Sequence, residues 1–288
     1  MPVFATPGPI TATLELVMGE TRITAGDRTD TVVDVRPANP DRTGDVKAAE
    51  QTRVDFQDGR LVIKTNKLRG MFSFKGGAVD ITIELPTGSS VRGDTALGSV
   101  YAQGTFGDFR FRSATGDISL DRAGSTHLHT AMGNVNLIHA TGHTDVLTGS
   151  GQLHVERVDG TAVVRNSNGN IRVGTVTGDL RAQNANGDIA VTLALADVTA
   201  KTANGSVRLD EVVRGTVVLE TGAGRLEVGI RAGTAAWLDV RSALGAVQND
   251  LEAASAPDSA VDTAEVRART GVGDIVIRRA TPTEEDDS

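Results

Sequence analysis

Between residues 98 and 277 the chain alternates apolar and polar positions in short runs, and glycines punctuate the runs. Alternation with a period of two marks strands that bury one face. The punctuation is itself periodic. A glycine, a small or polar residue and an aliphatic residue recur at Gly98-Ser99-Val100, Gly116-Asp117-Ile118, Gly133-Asn134-Val135, Gly151-Gln152-Leu153 and Gly169-Asn170-Ile171. The series continues at Gly187-Asp188-Ile189, Gly205-Ser206-Val207, Gly224-Arg225-Leu226, Gly245-Ala246-Val247 and Gly273-Asp274-Ile275. Successive glycines lie 18, 17, 18, 18, 18, 18, 19, 21 and 28 residues apart. A second set (Gly107, Gly124, Gly142, Gly160, Gly178, Gly215) falls eight to ten residues after members of the first, which halves the period.

Aligned on the glycine, the columns predict the packing. Two residues after it every side chain is Val, Ile or Leu, and five before it come Gly93, Phe111, Leu128, Val146, Val164, Ala182, Ala200, Leu219, Val240 and Ala268. One such unit cannot bury its own apolar face, but units stacked at about 4.8 Å bury a continuous one. The pattern therefore predicts an all-β chain, a parallel β-helix (β-solenoid) of about nine or ten coils, roughly 45 Å long. Three residues before the glycine stand only Thr, Ser or Asn: Thr95, Ser113, Thr130, Thr148, Asn166, Asn184, Thr202, Thr221, Ser242 and Thr270. These side chains are expected to bond the turn backbone and one another up the column.

The flanks lack the tight period. Residues 10 to 90 carry longer alternations (Ala12 to Val17, Thr31 to Arg36, Arg60 to Thr65, Val79 to Leu85) and a short helical stretch near Asp45 to Gln51. The expected plan is a β-rich N-terminal cap over residues 1–90 and solenoid repeats over 91–279. A loop inserted at 250–263 explains the long last spacing, and a disordered acidic tail occupies 280–288. Coils are expected to stack in chain order.

Composition narrows the function. Cysteine is absent, which removes disulfides, thiolate metal sites and cysteine nucleophiles. Net charge is −8, and the run Glu284 to Asp287 supplies half of it, so a counterion-releasing nucleic-acid binder is not expected. No secretory signal or membrane-spanning run is visible near Met1 or elsewhere, so the expected location is the cytoplasm. Peripheral contact with a membrane surface and oligomerisation stay open.

With their strand-rich N-terminal flank and Asn-Gly-Asn/Asp-Ile turns at 168–171 and 186–189, these repeats resemble a family of bacterial adhesin-like β-strand-repeat domains of unknown function. The likeness covers roughly residues 10–279. It implies a right-handed β-helix and an adhesin-like role, and it supplies no catalytic residue.

Candidate chemistry is sparse. All five histidines lie between 127 and 154 and no two of them stack in one column; His127 and His129, which share an outward face, and Asp145, one coil above His127, are the weak candidates for a metal site. Asp117, Asp188 and Asp274 follow turn glycines, where carboxylates cap backbone more often than they catalyse. No catalytic residue and no cofactor is expected, and the chain reads as a non-catalytic scaffold. The alternatives are a polysaccharide-active enzyme, which needs paired carboxylates in a cleft, and a self-assembling filament, which needs bare ends. One outward strip, four and six residues before the glycines, is rich in cations. Arg165, Arg181 and Lys201 form its expected centre, with Arg110 and Arg112 towards one end and Arg267 and Arg269 towards the other. Such a strip suits a linear anionic polymer or an acidic protein partner.

Overall fold

The computed structural model describes residues 1–65, 77–251 and 262–281. Most of the expected 250–263 loop and of the acidic tail therefore lies outside the described residues. The chain is all-β apart from one short helix among the described residues, and it divides into two compact units, Met1–Ser150 and Gly151–Ser288.

In the first unit two sheets face each other. One runs Val3–Ala5, Asp30–Pro37, Val79–Pro86, Thr21–Gly26, Val100–Thr105, Ile118–Ala123, Val135–Ala140. The other runs Arg53–Gln57, Arg60–Lys64, Thr11–Glu15, Ser90–Leu97, Phe109–Thr115, Thr126–Met132, Thr144–Ser150. Pairing is parallel wherever the glycine period holds, with Phe109, Phe111 and Ser113 in register with Thr126, Leu128 and Thr130. The strands of the first 90 residues belong to these same two sheets. Thr11–Glu15 lies between Arg60–Lys64 and Ser90–Leu97, so the beginning of the chain is threaded one layer inside the stack. Only the outermost strands turn antiparallel: Val3–Ala5 on Asp30–Pro37, that strand on Val79–Pro86, and Arg53–Gln57 on Arg60–Lys64. Phe4 and Phe56, one from the edge strand of each sheet, stack with ring centroids 5.0 Å apart.

The expected helix is present as Thr43–Gln51. Its sequence has little apolar periodicity, and it is fastened by Asp45, 1% exposed, whose carboxylate accepts the backbone N–H groups of Asn39 (3.2 Å) and Ala78 (3.1 Å).

Among the described residues the buried aromatic rings, Phe106, Phe109 and Phe111, lie in this unit's core. Phe109 and Phe111 are fully buried, and a Cβ built on Gly93 would stand 2.1 Å from the Phe111 ring. Gly93 pairs with Phe111 in the same inward column, so the missing side chain of one makes room for the ring of the other. Phe111→Ala is expected to cost about 3–5 kcal/mol, read as a lower urea midpoint, because rigid strands on both sides cannot collapse into the void.

In the second unit one sheet runs Leu153–Val158, Ile171–Val176, Ile189–Ala194, Val207–Val212, Leu226–Ile230, Ile275–Arg279, Val247–Asn249. The other runs Ala162–Asn168, Leu180–Asn186, Val198–Asn204, Gly215–Ala223, Thr263–Val272, Ala235–Leu244. The last two coils thus exchange places, which corrects the expectation of stacking in chain order. Thr263–Val272 and Ile275–Arg279 slide beneath the coil that precedes them in sequence. Burial explains the choice: Ala264, Val266, Ala268, Ile275 and Ile277 are 0–2% exposed there, whereas Val247 in the displaced coil is 46% exposed. The more continuously aliphatic coil takes the buried layer.

The turns show why glycine and a small polar residue recur. Gly116, Gly133, Gly187 and Gly205 have φ between +130° and +151°, and a Cβ on each would stand 2.1–2.3 Å from the carbonyl oxygen of the glycine one coil away. That carbonyl is also the acceptor for the Ser/Thr/Asn column. Ser113 donates to Gly98 (3.3 Å), Thr130 to Gly116 (3.0 Å) and Thr148 to Gly133 (2.9 Å). In the second unit Asn166 donates to Gly151 (2.9 Å), Asn184 to Gly169 (2.8 Å), Thr202 to Gly187 (3.2 Å) and Thr221 to Gly205 (2.8 Å). Thr270 reaches Gly224 (3.1 Å) and Ser242 reaches Gly273 (2.8 Å), which follows the exchanged order. Apart from Thr95, whose buried hydroxyl has no partner, the column therefore bonds to neighbouring turns and not to itself, because an inward side chain at the sheet end reaches the close-packed glycine carbonyl first.

Candidate functional site

The three carboxylates that follow turn glycines of the first set hold backbone of the next coil. Asp117 accepts the Asn134 N–H (2.7 Å), Asp188 the Ser206 N–H (2.8 Å) and Asp274 the Ala246 N–H (2.8 Å). Each sits one residue after its glycine, where the next coil's amide points at it. A shallow depression of about 440 Å³ in the second unit is lined by Asp179, Asp197, Asp262 and Arg214, but Asp197 is already bonded to the Thr216 N–H (2.7 Å).

His127 and His129 lie on the outward face of the second sheet of the first unit, whereas His139 belongs to Val135–Ala140 of the other sheet and His154 to Leu153–Val158 of the second unit. His129 Nε2 stands 3.4 Å from Asp145 Oδ2, while the His127 ring lies against His143, centroids 5.9 Å apart. Among the described residues no group of three or more His, Asp or Glu side chains could hold a metal ion. His127, His129 and Asp145 form two side-chain contacts rather than a ligand set. Burial, with Arg110 and the neighbouring His143 and His129, lowers the His127 pKa, against the pull of Asp145. The unfolded chain then takes up this proton at higher pH than the folded one. The contribution of His127 to stability is complete above the unfolded value and is lost as pH falls through it. His127→Gln is expected to flatten part of the fall in melting temperature between about pH 7 and about pH 5.

On the same face Arg110 pairs in register with His127, and Arg112 with His129. The preceding strand adds Arg92, directly opposite Arg110, and Asp94, opposite Arg112. Arg92, Arg110 and Arg112 are exposed and none is in an ion pair among the described residues, so two adjacent strands present three guanidinium groups with one carboxylate, Asp94, among them. Arg92 was legible: it stands six residues before Gly98, the position Arg110 holds before Gly116.

In the second unit Arg165 and Lys201 share an outward column with Gln183 between them, and Arg181 stands in the neighbouring column. Lys201 Nζ meets Glu220 at 2.8 Å, Arg267 is bonded to Glu265 (2.8 Å), and Arg269 meets Asp239 at 3.4 Å. The exchange of coils also places Arg267 and Arg269 between Gly215–Ala223 and Ala235–Leu244, not at the end of the strip. On this unit's opposite sheet the charges compensate each other. Burial raises the Glu227 pKa, but the hydrogen bond from Arg278 (2.9 Å), with Arg208 and Arg225 nearby, outweighs it and lowers the value overall.

Parallel two-sheet stacks with one glycine turn per coil define a β-solenoid. The Toastrack DUF4097 model matches residues 19–212, and the chain belongs to that family. No curated protein matches the chain. Among solved structures, one similar chain is a "putative cell adhesion protein" from Clostridium sporogenes, with 13% identity, 96% of this chain and 98% of that chain covered, and a TM-score of 0.26. Another is a "putative adhesin" from Bacteroides fragilis, with 12% identity, 96% and 95% covered, and a TM-score of 0.36. No helix among the described residues is long and apolar enough to cross a membrane.

Proposed function

We propose that this Toastrack chain is a non-catalytic interaction scaffold that presents an arginine face to a linear anionic polymer. The carrying observation is the group Arg92, Arg110 and Arg112, held on adjacent parallel strands without ion-pair partners among the described residues. Strand spacing of about 4.8 Å gives cations a repeat along the sheet that an extended polyanion can follow and a small molecule cannot exploit without enclosure. The second unit carries cations of its own on parallel strands, Arg165, Arg181 and Lys201, the last partly neutralised by Glu220. Support for a scaffold over an enzyme comes from Asp117, Asp188 and Asp274, whose oxygens hold turns instead of facing each other across a cleft. The antiparallel strands and the Phe4–Phe56 stack at the outer edge of the first unit are read as its cap.

The test compares two charge reversals in titrations with a sulfated polysaccharide at low salt. Exposed ion pairs contribute about 0.5–1 kcal/mol each, so Arg92→Glu/Arg110→Glu/Arg112→Glu is expected to weaken binding about 10- to 100-fold. Arg165→Glu/Arg181→Glu/Lys201→Glu is expected to weaken it less. Unchanged affinity in the first variant, with its melting temperature intact, would show the arginines to be a solubilising surface only.

A further inference from the structure

The second unit ends in an edge that its own described residues leave open. Ala235–Leu244 is the last strand of its sheet, ten residues long, with Thr263–Val272 on one side. The Ala235 N–H donates to Asp262 O at 2.9 Å, which sets the parity of the strand. Ala235, Trp237, Asp239 and Arg241 turn their backbone groups to the neighbour, and Leu238 and Val240 turn theirs to the free edge. The inward column is under-covered too: Leu238 and Val240 are half-buried, whereas their register partners Val266 and Ala268 are 0% exposed. Trp237 is 58% exposed. A long edge strand normally carries a lysine, a proline or a bulge to repel pairing, and this one has neither lysine nor proline.

We propose that this edge binds the same edge of a second copy, antiparallel, about a two-fold axis through Val240. The strand is self-complementary in that register. Val240 faces Val240 of the second copy as a hydrogen-bonded pair, which suits the free N–H and C=O that it turns outward. Asp239, which meets Arg269 of its own chain at 3.4 Å, then also faces Arg241 of the second copy, and Arg241 faces Asp239, in the closer non-hydrogen-bonded pairs where opposite charges help most. Trp237 falls opposite the small Ala243. Side-chain faces match as well, since residues related by an axis at Val240 share parity and inward columns meet inward columns. A two-fold contact of this kind is isologous and closes at two copies, so it yields a dimer and not a fibre. It goes beyond the polymer-binding reading and does not depend on it.

The chain has no cysteine, so a single introduced one reports the axis. In the full chain, Val240→Cys is expected to give a covalent dimer under mild oxidation, because Cα atoms of such a pair lie about 5.5 Å apart, within disulfide reach. Trp237→Cys is expected to stay monomeric, since its copies would be separated by roughly six strand residues, about 20 Å. In sedimentation, Arg241→Asp is expected to weaken the dimer at least ~10-fold by setting two carboxylates against each other, and adding Asp239→Arg is expected to restore most of it. Melting temperatures of the variants report whether each still folds. A wild-type chain that sediments as a monomer throughout, cross-linking at Trp237→Cys equal to that at Val240→Cys, or a dimer indifferent to Arg241→Asp overturns the proposal.

Discussion

Ile171→Asp is expected to abolish cooperative folding of the unit Gly151–Ser288. Ile171 is 0% exposed and sits in register between Leu153 and Ile189, themselves 1% and 0% exposed, so its side chain is enclosed by aliphatic neighbours above and below. A carboxylate there has no cation or donor in its column. It must either ionise unpaired in a low-dielectric core or bind a proton at the cost of several kcal/mol, against a total stability of about 5–15 kcal/mol. Ile171→Val removes only one methylene and is expected to cost about 0.5–1.5 kcal/mol. Circular dichroism melts of the two variants separate the effects. A melt of Ile171→Asp that matches the parent would mean the inward face is assigned wrongly.

The second large effect is expected at Gly205. Its φ is +146°, and a Cβ would lie 2.2 Å from the Gly187 carbonyl oxygen and 2.5 Å from its carbon. Backbone strain and a clash with backbone therefore coincide. The displaced carbonyl is also the acceptor for Thr202 (3.2 Å), so one methyl group disturbs the turn and the column that fastens it. Gly205→Ala is expected to cost at least ~3 kcal/mol, a magnitude that surface substitutions do not reach. Gly233 gives the contrast: its φ is +87° but nothing lies within 4 Å of its Cβ position. Gly233→Ala carries the conformational term alone, about 1–2 kcal/mol. Equal losses for the two variants in urea denaturation would show that close packing of turns is not what the repeat glycines serve.

Much of this fold is written in the columns. A strand whose alternate residues are Ile171, Val173 and then a turn can bury only one face, and 18-residue spacing leaves no partner but the next coil. The Ser/Thr/Asn column was legible as a fastening device on the turn backbone, but which of its two expected partners, turn carbonyl or stacked neighbour, it takes was not. Whether Thr130 reaches Thr148 or the Gly116 carbonyl depends on how closely the turns approach, a distance that periodicity does not encode. The exchanged coils were hidden for a related reason. Thr263–Val272 and Ala235–Leu244 both fit the pattern, and only the sum of burial over two sheets decides which lies inside. The threading of Thr11–Glu15 between Arg60–Lys64 and Ser90–Leu97 is likewise a long-range choice among similar strands. At the candidate site, sequence position found Arg110 and Arg112. Lys201 and Glu220 both stand four residues before their glycines, so the columns also put them side by side; what periodicity does not encode is that the side chains close to 2.8 Å.

The central claim, binding without turnover on an arginine face, is tested most directly by titrating the intact chain with a sulfated polysaccharide over a salt series and then sizing the recovered polymer. The account predicts saturable binding whose log affinity falls linearly with log salt, a slope reduced by up to about three in Arg92→Glu/Arg110→Glu/Arg112→Glu, and a polymer of unchanged length. Binding that ignores salt, a slope that the reversal leaves untouched, or a polymer shortened during the incubation would contradict it.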